Sequence, residues 1–148
     1  YNLHIMLRFE LETMLLEENV SVRELPGLWF DRMEGYLGIQ PESDTEGVLQ
    51  DIHWALGAIG YFPTYALGNL MSAQIFTQAK STLKDLDDQI ARGEFNALRE
   101  WLQTNVYHWG RKLSATEIIE WLTNGTISAD SWLEYIRQKY SALYGNLP

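Results

Sequence analysis

The chain contains no cysteine, which excludes a disulfide framework and any thiolate metal site. Basic residues are scarce, eleven Lys and Arg against twenty Asp and Glu, for a formal net charge of −9. They form no cluster, and nucleic-acid binding needs a positive footprint to meet phosphates, so that class is set aside. The acidic surplus itself reads as a solubility feature and names no substrate. No apolar run reaches membrane-spanning length, and no charged segment with an apolar stretch and a small-residue cleavage site opens the chain. Strand-like alternation never persists beyond a few residues. These absences leave an all-α protein with no nucleic-acid or membrane partner, suited to the cytoplasm.

What is present is apolar and aromatic: 46% of the 148 residues are hydrophobic and 13% aromatic. That length and composition suit one ordinary domain with a real core, and residues 1–148 read as a single α-helical unit with no internal boundary. The first helix should bury Leu3, Leu7, Leu11, Met14 and Leu15 on one face, with Arg8 and Glu12 turned away, and end at Glu17, Glu18 and Asn19. A second helix, from Pro26 to Leu37, carries Leu28, Trp29, Met33, Tyr36 and Leu37 and stops at Gly38. QPESDTEG is a loop between helices of the same style. Further on, KDLDDQIARGEF is a short charged helix closed by Gly93. Phe95, Leu98, Trp101, Leu102 and Val106 mark another, ending near Gly110. Ser114 to Glu117 has the capping-box spacing and opens a helix that stops at Asn124 and Gly125. The last helix runs from about Asp130 to Tyr144, with Trp132, Leu133, Ile136, Tyr140 and Leu143 expected inward.

The stretch from Gly47 to Phe76 breaks this routine. It holds four of the eleven glycines, one of the four prolines and one of the three histidines. A helix built only for a core would be penalised at Gly57, Gly60, Pro63 and Gly68. Gln50, Asp51, His53, Tyr61 and Tyr65 sit among Val48, Leu49, Ile52, Trp54 and Phe62, the mixture that lines a partly buried site. A kinked core segment with internally satisfied polar groups would give the same pattern. The residue before Pro63 should be extended, with a helix from near Thr64 burying Leu67, Leu70, Met71 and Ile75. Tyr65 would then stand just inside the helix start and Tyr61 just before it. A phenol placed there can donate to a developing oxyanion, or simply pack. Asp51 and His53, two apart, share a face in an extended chain, where Asp can orient the imidazole, and diverge in a helix.

Gly47, Gln50, Asp51, His53 and Trp54 together form GxxQDxHW, followed closely by YFPTY. This pair of signals resembles the Taq-type (thermostable) metallocarboxypeptidases, zinc enzymes that remove C-terminal amino acids from peptides. The similarity to that family's C-terminal third runs from YNLH at the start to KYSALY near the end. It implies a longer parent, with an IRxxAD motif and an HExxH helix upstream of Tyr1, so that the 148 residues alone would be inactive. The chain's own residues agree that a zinc site is not evident here. Such a site needs two imidazoles one helical turn apart, whereas His4, His53 and His108 are 49 and 55 residues apart.

The resemblance implies that zinc is held by the upstream part and none by this portion. Here Tyr65 and His53 would be the catalytic groups, and Tyr61, Gln50, Asp51 and Trp54 would bind substrate or line its pocket. Tyr61 is the second candidate for the oxyanion role, Trp54 suits a packing wall, and His108 is structural. The implied partners are a peptide C-terminus, the N-terminal metal-binding part and a second copy in a homodimer. Two readings from other classes stay open: a stand-alone α-helical protein-interaction domain, and a helper subunit completing an active site in trans.

Overall fold

The computed structural model describes residues 1–17 and 20–145, and among them every regular element is helical. The helices are α1 (Asn2–Glu17), α2 (Leu25–Leu37), α3 (Pro63–Thr82), α4 (Leu86–Ala91), α5 (Asn96–Asn105), α6 (Ala115–Thr123) and α7 (Asp130–Tyr144). Short 3-10 turns cover Val22–Glu24 and Tyr107–Trp109. The all-α expectation therefore holds, although the expected end of α1 at Glu18 and Asn19 lies outside the described residues. The chain divides into two compact units, Tyr1–Leu67 and the residues from Gly68 onward. That division falls inside α3 and not in a linker, so composition marks no boundary there.

In the first unit, Leu7 and Leu11 of α1 pack with Leu25, Trp29 and Met33 of α2 and with Val48 of the following loop. Ser21 and Glu24 form a reciprocal capping box ahead of α2, and Pro26 sits in its first turn, where a missing N–H does no harm. Gly38 ends α2 in the left-handed conformation, its N–H bonded to Glu34 O. Residues 39–62 then fold as successive turns. Gly47 is required there by space: a Cβ would stand 3.2 Å from Ser43 O and 3.4 Å from the Trp29 ring. Its absence lets the loop settle on the indole.

One expectation for α1 is overturned. Arg8 and Glu12 do not turn away from the core; they are 0% and 3% exposed, whereas Leu3 is exposed. Burying a charged side chain is costly unless partners satisfy it: Arg8 pairs with Asp51, and Glu12 accepts two hydrogen bonds.

In the second unit, Ala79, Leu86 and Trp101 form the buried centre, with Ile75, Leu83, Ile90, Leu98, Leu102, Val106 and Leu122 around it. The capping box is present: Ser114 Oγ accepts from Glu117 N–H at 3.3 Å, and Glu117 accepts from Ser114 N–H at 2.6 Å. Asn124 closes α6 in the left-handed conformation. Two apolar stripes are not buried as expected. In α3, Leu67 is exposed and Leu70, Met71 and Ile75 are half-buried, while Gln74 and Ala79 are the buried positions. Gln74 tolerates burial because its amide donates to Thr126 O at 3.0 Å and accepts from Ser128 N–H at 3.1 Å. No residue of α7 is buried, and Leu133, Tyr140 and Leu143 are exposed. Helical periodicity fixed which residues share a face, not whether that face is covered.

Candidate functional site

The glycine-rich stretch folds back onto α1, and all the side chains that meet there belong to the first unit. Asp51 opens a turn in which its Oδ1 accepts from the His53 backbone N–H at 3.0 Å and faces His53 Nδ1 at 3.1 Å. Its second oxygen pairs with the guanidinium of Arg8. That guanidinium is enclosed by rings, its carbon 4.4 Å from the centroid of Phe62, 4.7 Å from Trp54 and 5.0 Å from Trp29. Such stacking offsets part of the loss of hydration. One turn along α1, Glu12 accepts from Trp54 Nε1 at 2.7 Å and from Gly60 N–H at 3.0 Å. Gly60 has φ of +76°, a conformation that glycine adopts without strain and that presents its N–H to Glu12.

His53 is thereby held between a carboxylate and an aromatic wall. Its ring stacks on Tyr61 at 5.6 Å and meets the edge of Phe62 at 5.1 Å. The Tyr65 hydroxyl lies 3.4 Å from Nε2. Asp51 is ionised and only accepts, so in the neutral imidazole the proton sits on Nδ1 and the Nε2 lone pair faces Tyr65. Burial pushes the Asp51 carboxyl up, but the His53 backbone and side-chain hydrogen bonds and the Arg8 charge outweigh it and hold the pKa below the ordinary value. Burial, then Tyr61, pushes the Tyr65 phenol up, so it stays protonated and able to donate. At 38% exposed, Tyr65 is within reach of a bound molecule.

The sequence-derived residues thus separate. Asp51, His53, Tyr61 and Tyr65 converge. The turn answers the question left by the Asp–His spacing, since an Asx turn brings carboxylate and imidazole together where neither strand nor helix was formed. Trp54 packs on Arg8 and Trp29 and bonds Glu12. Gln50 is exposed, with its backbone N–H on Gly47 O. His108 lies in the second unit beside Trp109 and Trp121.

Sequence reading missed His4, Arg8 and Glu12. Their signal was present: a polar row at i, i+4 and i+8 in a helix apolar on nearly every other side, which marks groups that must find partners inside.

His4 supplies a pH-dependent contribution. Arg8 Nε donates to His4 Nε2 at 3.3 Å, so the bare nitrogen is Nε2. Burial and the Arg8 charge lower its pKa below the ordinary 6.5. The folded state then binds fewer protons than the unfolded state, so this contribution is complete above 6.5 and is lost as pH falls through the folded value. Thermal midpoints should therefore decline from about pH 7 to about pH 5, and His4→Gln, which still offers an acceptor to Arg8, should flatten that slope. An unchanged slope in the variant would remove His4 as its source.

Among the described residues, no three His, Asp or Glu side chains are grouped so as to hold a metal ion. The family described as Carboxypeptidase Taq (M32) metallopeptidase matches residues 1–140. Thermostable carboxypeptidase 1 of Thermus thermophilus is 41% identical over 145 residues, which is 98% of this chain and 28% of that protein. The protein of the same name from Pyrococcus furiosus is 39% identical over 140 residues, 95% of this chain and 28% of its own length. In structure, the M32 carboxypeptidase of Deinococcus radiodurans superposes with a TM-score of 0.92 at 42% identity, covering 98% of this chain and 29% of that one. The chain thus spans under a third of the length of these relatives, and nearly all of it is matched by them. It belongs to the carboxypeptidase Taq (M32) family of metallopeptidases.

Proposed function

We propose that this chain is the substrate-facing portion of a zinc metallocarboxypeptidase, with the HExxH metal site carried by an upstream part of the same protein. Tyr65 donates a hydrogen bond to the oxyanion that forms at the scissile carbonyl, and His53 bonds the substrate or that intermediate beside it. Tyr61 and Gln50 line the approach of the peptide C-terminus, while Asp51 and Trp54 brace the wall. When bound, the metal supplies an activated water and polarises the carbonyl. The observation that carries this reading is the convergence of His53 Nε2 and the protonated Tyr65 hydroxyl, 3.4 Å apart, on a partly exposed surface. Its surroundings support it too, since Leu49, Ile52 and Leu56 are each about two-thirds or more exposed around the motif (67%, 66% and 73%). Apolar surface of that kind is what a metal-bearing part of the same protein would cover.

The test is release of C-terminal amino acids from peptides by the whole zinc-loaded protein. Sequential release, abolished by chelation and restored by zinc, is expected; no release by zinc-replete folded protein would overturn the proposal. Produced by itself, the 148-residue chain should retain less than stoichiometric zinc after dialysis and release nothing. Stoichiometric zinc with turnover would place the metal site within these residues.

A further inference from the structure

We propose that Arg8 is a positioning residue for His53: through Asp51 it fixes the plane and the tautomer of the imidazole, from a place that no substrate can touch. Arg8 is 0% exposed, which excludes direct contact with a peptide. What it touches decides its role. Its Nε is on His4, one terminal nitrogen, Nη2, pairs with Asp51 Oδ2, and its guanidinium lies over the rings of Trp29, Trp54 and Phe62. Three rings would accept a methionine or leucine equally well, and a buried ion pair is weak ground for stability. What an apolar side chain in that slot could not do is bond His4 and Asp51, and of the two only Asp51 touches His53.

Asp51 has two oxygens and two clients. With one oxygen engaged by Arg8, the carboxylate cannot rotate, and the other stays aimed at the His53 backbone N–H and Nδ1. An imidazole whose Nδ1 proton is fixed in this way must present Nε2 outward, where Tyr65 stands. Glu12 fixes the same segment at Trp54 and Gly60, so two charges one turn apart on α1 hold the loop that bears His53. Arg8 sets the ring; Glu12 holds the loop.

The kinetic arm of the test rests on the proposed carboxypeptidase activity, and the spectroscopic arm does not. In the whole protein carrying isotope-labelled histidine, the ring nitrogens of His53 are assigned by nuclear magnetic resonance, with His53→Gln identifying the signals. The wild type should show a single Nδ1–H tautomer. Arg8→Met fills the slot between the rings but leaves Asp51 unpaired, and should bring in the Nε2–H tautomer. It should lower kcat roughly ten- to hundred-fold, the usual effect of losing an outer orienting partner, with KM changed far less. A folded Arg8→Met protein with wild-type tautomer and kcat would overturn the proposal and leave Arg8 a packing residue. Should Arg8→Met not fold, Arg8→Lys decides in its place. It keeps the charge and loses the planar group that reaches His4 and Asp51 together, so a mixed tautomer supports the proposal and a wild-type one overturns it. If the wild-type protein releases no amino acids, the functional reading fails, and the tautomer measurement still decides the role of Arg8.

Discussion

On the proposed carboxypeptidase reading, Tyr65→Phe in the whole protein is expected to slow peptide hydrolysis by about 10²- to 10³-fold, the usual loss when one preorganised oxyanion donor is removed. The substitution keeps the ring and its edge contacts with Tyr61, Phe62 and His53, so the fold should survive. The phenol is suited to the role because burial and Tyr61 keep it protonated. In the resting site its hydroxyl is 3.4 Å from Nε2, a long contact that can be exchanged for a shorter one to a forming oxyanion. The interaction is strongest in the transition state, so the loss should fall on kcat with KM little changed. Tyr61→Phe is the control. Tyr61 stacks on the imidazole with the planes 28° apart, and removing its hydroxyl should be milder. A larger kinetic defect in Tyr61→Phe would reverse the assignment. Normal kcat in both would make YFPTY a wall of the pocket only.

Much of this site was legible because its residues carry rare types at fixed spacing. GxxQDxHW and YFPTY placed Asp51, His53, Tyr61 and Tyr65 in one neighbourhood, and Pro63 marked the start of α3 to within a residue. The capping box at Ser114 and the stop at Asn124 were readable for a similar reason: both are local, decided within one turn of chain. Burial was less legible, since it depends on what lies opposite. The stripes of α3 and α7 have the right period, yet Leu67 and Leu143 are exposed. The charged row of α1 failed in the opposite sense. A rule that sends Arg8 and Glu12 to solvent holds only when no partners wait inside, and those partners come from residues 42 or more positions away, at Asp51, Trp54 and Gly60. Local periodicity carries no information about contacts at that separation. The apolar surroundings of the row hinted at it; only the folded chain showed what each charge meets.

Asp51→Asn tests the pairing from its other end and should lower the thermal midpoint of the whole protein markedly. The substitution is nearly isosteric, so packing against the Arg8 slot is unchanged. Chemistry is not. The carboxylate has an acceptor for each client, Oδ2 for Arg8 and Oδ1 for the two N–H groups of His53, whereas an amide has one oxygen. If the carboxamide turns that oxygen to Arg8, its NH₂ opposes the His53 donors. If it turns it to His53, two donors face each other at the guanidinium. Either way a fully buried cation loses the carboxylate paired with it and keeps only the more distant attraction of Glu12, and breaking such a pair costs about 3–5 kcal/mol in dry interiors. Solvent reaches Asp51, whose side chain is 23% exposed, so the loss here should sit at or below about 3 kcal/mol. Arg8→Met added to Asp51→Asn removes the stranded charge and should recover much of that loss, a coupling that a double-mutant cycle reads directly. Additive losses would show that Arg8 and Asp51 stabilise the fold independently. An Asp51→Asn protein as stable as wild type would mean that the three rings alone suffice to hold the guanidinium, with Asp51 serving His53 only.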